Sequence, residues 1–174
     1  MLKILTAEQI KELDNVTIQK QGIKSVELME RAATEVANWI ISHFKTVQPF
    51  KVFCGTGNNG GDGLAVARLL LKRSYKVQVY VLKSDKVTED FKINEERLSS
   101  ILTIHFIKNI NEMPAITAGE IVIDAIFGSG LNRQTEGLYA EVIDAINNSD
   151  ASVIAIDIAS GLFADKTNHS KSII

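Results

Sequence analysis

Three groups of polar residues in this 174-residue chain have the types and spacing to do chemistry. The first is the tract from Gly55 to Gly63, where Gly55, Gly57, Gly60, Gly61 and Gly63 surround Asn58, Asn59 and Asp62. Backbone without side chains permits positive φ and lets N–H groups approach a ligand closely. A helix that starts there points its unpaired N–H groups and positive dipole end at an anion such as a pyrophosphate. The second group is Asp124 with the glycine turn that follows it, Gly128 and Gly130, and the third is Asp157 with Ser160. Amide oxygens and carboxylates beside open backbone can coordinate a hard cation or hold a polar ligand. The plainer reading is that Asn and Asp suit turns, and that a lone strand-end Asp caps a helix.

The elements around these residues favour the chemical reading. Val52, Phe53 and Cys54 form a short apolar run before the glycine tract, and Leu64, Val66, Ala67, Leu70 and Leu71 resume at helical spacing after it. With a second strand at residues 76–82, this is a βαβ unit in which Gly55, Gly57 and Gly60 satisfy the dinucleotide spacing G-x-G-x-x-G. Asp85, the first acid after that strand, lies further along than a ribose-binding acid usually does, and the lysine of a P-loop is absent.

Upstream, Thr6 and Gln9 have capping-box spacing and Gly22 suits the end of a first helix. A second helix runs from about Ser25 to Phe44, with a broad apolar stripe fit to lie on the sheet or to form a dimer interface. Downstream, residues 84–100 read as an amphipathic helix, 103–107 and 120–124 as strands, 135–147 as a helix and 152–156 as a fifth strand. Alternating strands and helices imply a parallel sheet covered on both faces, an α/β Rossmann-like three-layer fold. Right-handed crossovers give a doubly wound sheet of order 3-2-1-4-5. Strands one and four then meet at the switch point, where ligands bind beyond the strand ends. Asn58, Asn59, Asp124, Asp157 and Ser160 all fall at those ends.

Composition narrows the alternatives. The length suits one domain. A net charge of −2, without a basic stretch, argues against nucleic acid as partner. The single cysteine, Cys54, lies in a strand and reads as a small core side chain. His43, His105 and His169 show no zinc-ligand spacing. No apolar run reaches membrane-spanning length, so a soluble cytoplasmic protein is expected.

Four blocks together resemble one family. Residues 28–33, 55–64, 124–131 and 157–162 are similar to the NAD(P)HX epimerases, the YjeF N-terminal domain family, across nearly the whole chain. That resemblance implies a reaction on NADH or NADPH hydrated at C6 of the nicotinamide ring, interconverting the R and S epimers so that a partner dehydratase, separate or fused, can act on the S form. It implies that Asn58, Asn59, Gly60, Gly61 and Asp62 contact the dinucleotide. Gly128, Ser129, Gly130, Leu131, Asn132, Arg133 and Gln134 would do the same, with Tyr139 and Asp157. Asn59, Asp124 and Ser160 would bind a potassium ion.

Epimerisation by loss and return of water, or by ring opening, needs a group that gives and takes a proton, and Asp124 and Asp157 are the candidates. A cation on Asp124 would keep it ionised and a poor acid, which favours Asp157. Two departures stand out: Ala159 replaces the family's proline, and the chain is expected to lack the family's C-terminal strands, leaving strand five as an open edge. The same fold also serves non-catalytic binding modules. A plain dehydrogenase would require a second domain and a catalytic His or Tyr-Lys pair that the sequence does not offer.

Overall fold

In the central strands every residue is apolar or paired, because both faces are covered. β1 (Pro49–Cys54) is buried from Phe50 onward, and β4 (Ile121–Ala125) is buried throughout. The computed structural model describes residues 4–168 and 172–173. Its sheet has β1 and β4 at the centre, β2 (Lys76–Leu82) and β3 (Ile104–Ile107) on one side, and β5 (Ser152–Ala155) on the other. The order is β3-β2-β1-β4-β5 with every pairing parallel, as the sequence implies.

Helices cover both faces. Phe50, Val52, Cys54, Val79 and Ile123 pack beneath α3 (Asn58–Lys72), joined in the same core by residues of α2 (Ser25–His43) and α4 (Glu89–Ser99). Phe53, Tyr80, Leu82 and Val122 pack with Val142, Ile143 and Ile146 of α5 (Gly137–Asn147) on the opposite face. Each such side chain contributes roughly 1.5–3 kcal/mol on burial. The first helix, α1 (Ala7–Gln21), has the expected capping box from Thr6 and Gln9 and ends on Gly22 at φ 61°, yet buries none of its residues.

Several local expectations are revised. No glycine of the 55–63 tract has positive φ; among the described residues those that do are Gly22, Gly119, Gly137 and Gly161. From Asn58 the tract is instead the start of α3, and Gly55, Gly60, Gly61 and Gly63 allow close packing. A Cβ on Gly60 would stand 1.8 Å from the Gly55 carbonyl oxygen, and one on Gly55 would stand 2.2 Å from that of Ile126. The α2 stripe (Val26, Met29, Ala33, Ala37 and Ile40) is buried within the chain, mainly on α3 rather than directly on the sheet. Gly61 permits that approach, since a Cβ there would meet Met29 Sδ at 2.9 Å. The Arg68–Glu30 ion pair, 2.5 Å, ties the two helices.

Helix α4 starts only at Glu89, and the segment before it is tied to Thr56 in the turn after β1. Thr56 Oγ1 donates to Lys86 O at 2.6 Å, and Thr88 N donates to Thr56 O at 3.0 Å. β5 ends at Ala155, and among the described residues it pairs with β4 alone. Beyond it Ile173 N donates to Ser160 O at 2.8 Å, and the Ile173 side chain is buried against the α5 layer. Cys54 is a fully buried core thiol whose ionisation burial suppresses. His43 stacks on Trp39 and His105 on Tyr80, whereas His169 lies outside the described residues. No helix among the described residues is long and apolar enough to cross a membrane.

Candidate functional site

Sheet register brings the polar groups together. Phe53 is level with Asp124 across β1 and β4, and Asp124 is level with Ala155 across β4 and β5. The chain therefore leaves three neighbouring strands at one edge. Beyond them lies a cleft of about 1000 Å³. Of the ligand contacts that the sequence suggests, Asn58, Asn59, Asp62, Gly128, Ser129, Gly130, Leu131, Asn132, Arg133, Gln134, Tyr139 and Asp157 all line it. Gly60 and Gly61 do not; they are buried against Gly55 and Met29.

The floor of the cleft is a closed hydrogen-bond network around Asp124, which is fully buried and does not line the cleft. Its Oδ2 accepts from Ser160 N at 2.7 Å, and its Oδ1 accepts from Ser160 Oγ at 2.5 Å and from Ile126 N at 3.1 Å. Burial pushes the Asp124 carboxyl upward, and the three donated hydrogen bonds offset part of that rise. Ser160 Oγ in turn accepts from Phe127 N at 2.8 Å. Asn59 Nδ2 donates to Phe127 O at 2.7 Å, which leaves Asn59 Oδ1 buried without a hydrogen-bond partner.

An orphaned amide oxygen is costly unless something else satisfies it. With the Asp124 carboxylate and the Ser160 hydroxyl linked to the same Phe127 backbone, the oxygens available suit a hard cation carrying little charge. Among the described residues no group of three or more His, Cys, Asp or Glu side chains could hold a metal.

The rim differs. Asp157 is exposed, and its Oδ2 accepts from Ser129 N at 2.7 Å. Gly128 sits between it and α3: a Cβ there would stand 2.5 Å from Asp157 Oδ2 and 3.3 Å from Asn59 Cβ. Asp62, one turn beyond Asn59 on α3, makes no hydrogen bond among the described residues and is only partly exposed. Its carboxyl is pushed up to about 7, first by burial and then by the negative charges of Asp157, Asp90 and Asp14. The N-terminus of α3 has no side-chain cap. Phe127 and Tyr139 approach to 4.8 Å between ring centres.

Other lining residues escape a reading by motif. Ile10, Lys11 and Asp14 come from α1, and Ser84, Lys86 and Thr88 from the loop after β2, where Asp85 was the residue singled out by spacing. The signal for that loop was its place at the carboxyl end of a strand next to β1. Helix α1 carried none.

Sequence and fold both match known proteins. A model of the YjeF-related protein N-terminus matches residues 25–174. The chain is 38% identical over 166 residues to an NAD(P)H-hydrate epimerase of Oenococcus oeni, covering 94% of this chain and 77% of that one. It is 36% identical to the bifunctional NAD(P)H-hydrate repair enzyme Nnr of Thermofilum pendens, over 94% of this chain and 32% of the relative. A crystal structure of the yeast protein YNL200c superposes with a TM-score of 0.78 at 25% identity, covering 99% of this chain and 77% of that chain. The chain belongs to the YjeF-related N-terminal family.

Proposed function

We propose that this chain is an NAD(P)H-hydrate epimerase, interconverting the R and S forms of NADH or NADPH hydrated at C6 of the nicotinamide ring. The observation that carries this reading is the convergence of the 58–62 segment, the 128–134 loop, Tyr139 and Asp157 on one cleft beyond three adjacent strand ends. The uncapped N–H groups opening α3 would receive the pyrophosphate, with Lys11, Lys86 and Arg133 contributing positive charge around it. Tyr139 and Phe127 offer aromatic surface to a ring. The nicotinamide end would lie near Gly128, where the absence of a side chain leaves Asp157 open to C6.

Asp157 is then the group that moves a proton at the C6 hydroxyl, because it faces the cleft. Asp124 is held beneath, engaged by Ser160 and Ile126. Asn59 Oδ1, Asp124 and Ser160 would hold a potassium ion, which when bound supplies positive charge under the substrate. Ala159, beside Ser160, leaves this geometry intact: both Ser160 hydrogen bonds to Asp124 are made without the proline ring. The S epimer would pass to a dehydratase, the kind of coupling that the name of the bifunctional Thermofilum relative fits.

Hydrated NADH enriched in one epimer, incubated with the chain in potassium buffer, tests the reading. Faster equilibration of the R/S ratio than in buffer alone supports it, and no acceleration by folded protein overturns it.

A further inference from the structure

A carboxylate that mechanism and ion binding both leave unused stands in the same cleft. Asp62 lines it from α3, has no hydrogen-bond partner among the described residues, and sits one helical turn from Asn59. Asn59 and Asp157 both press on Gly128 from opposite elements. Asp62 and Asp157 line one cleft from two elements, one from α3 and one from beyond β5, and the charge of Asp157 is felt at the Asp62 carboxyl. An epimerase that removes water from one face of a ring and returns it to the other can use one proton-transfer group on each face.

We propose, on the basis of the epimerase reading above, that Asp62 and Asp157 are an acid–base pair placed on the two faces of the substrate ring. In one direction the protonated carboxyl of Asp62 gives its proton to the C6 hydroxyl, the C6–O bond breaks, and water departs as the electron pair of the ring nitrogen forms the iminium. Water then adds to C6 from the opposite face, its oxygen forming the new C–O bond while Asp157 takes its proton. The product is the other epimer, with the proton now on Asp157, and conversion in the reverse direction exchanges the two roles.

The charges facing Asp62 suit this division. Asp14 from α1, Asp90 at the start of α4 and Asp157 beyond β5 are all acidic, and Lys11, Lys86 and Arg133 are the cations of the cleft. Burial and those acids hold the Asp62 carboxyl near 7, so it carries a proton for much of the time at neutral pH. Paired carboxylates in unlike environments are a common source of separate acid and base roles.

The test is a pH series of kcat and KM for Asp62→Asn, Asp62→Glu and wild type, in both directions of epimerisation. Asp62→Asn is expected to lower kcat about 100-fold with KM changed less than about threefold, and to abolish the limb of the wild-type profile near pH 7. Asp62→Glu should recover a measurable part of the rate. The difference infrared spectrum of wild type minus Asp62→Asn at pH 6 should show a protonated carboxyl band, a readout that needs no turnover. Retained kcat in Asp62→Asn, a rise in KM alone, or no carboxyl band would overturn the pair. Wild type that fails to accelerate epimerisation would instead overturn the underlying reading and the pair with it.

Discussion

Asp124 and Asp157 follow the same sequence grammar, an apolar strand ending in Asp ahead of a small-residue turn, yet they occupy opposite environments. Asp124 ends a central strand and is fully enclosed, both oxygens engaged by Ser160 and Ile126. Asp157 follows the edge strand β5 and is exposed on the cleft, with one backbone donor from Ser129. The difference separates a floor that fixes geometry from a rim that meets ligand. Substitutions in the floor should cost stability, and those in the rim should cost turnover.

The sharpest contrast within the glycine tract comes first. Gly60→Ala would drive a Cβ to 1.8 Å from backbone that cannot yield, so a loss on the order of 4 kcal/mol or more is expected, read as failure to give a cooperative thermal transition. Asp124→Ala strips the partners from two buried Ser160 groups and the Ile126 N–H. A cost of about 3 kcal/mol follows, lowering Tm by roughly 6–12 °C in calorimetry.

On the rim, Asp157→Asn should leave Tm within about 2 °C of wild type while reducing epimerisation about 100-fold. An equal fall in stability would erase the distinction between floor and rim.

Asp62 tests the boundary between the two regions through pH. Its folded pKa of about 7 lies above the ordinary aspartate value of 3.8, so its proton-linked stabilisation is complete below about 3.8 and is lost as pH rises through about 7. Asp62→Asn, neutral at every pH, should therefore raise Tm at pH 8 by about 5 °C, with the gain fading toward pH 4. Smallest of all, Gly57→Ala meets nothing within 4 Å and should change Tm by less than about 2 °C.

Strand order and the crowding of Asn58, Asn59, Asp124, Asp157 and Ser160 at one edge are legible in the sequence, because apolar runs of strand length alternate with helical stripes. The unlike burial of Asp124 and Asp157 is not, since it depends on which strand lies at the sheet edge and on how Ser160 folds back. The role of the glycines is likewise hidden: spacing marks where Gly60 is needed, but only the contact with the Gly55 carbonyl shows that packing, not positive φ, requires it. Lys11 and Asp14 could not be recognised at all. They lie on a helix with no buried residue, and only tertiary placement carries them to the cleft.

One measurement bears most directly on the division of labour between the aspartates. Hydrated NADH enriched in one epimer is mixed with wild type, Asp157→Asn or Asp124→Asn in potassium buffer, the R/S ratio is followed chromatographically, and folding is checked by calorimetry on the same samples. Acceleration by wild type, lost in Asp157→Asn at unchanged Tm and lowered in Asp124→Asn together with Tm, is the expected result. Full activity in a folded Asp157→Asn protein, or no acceleration by wild type, would contradict it.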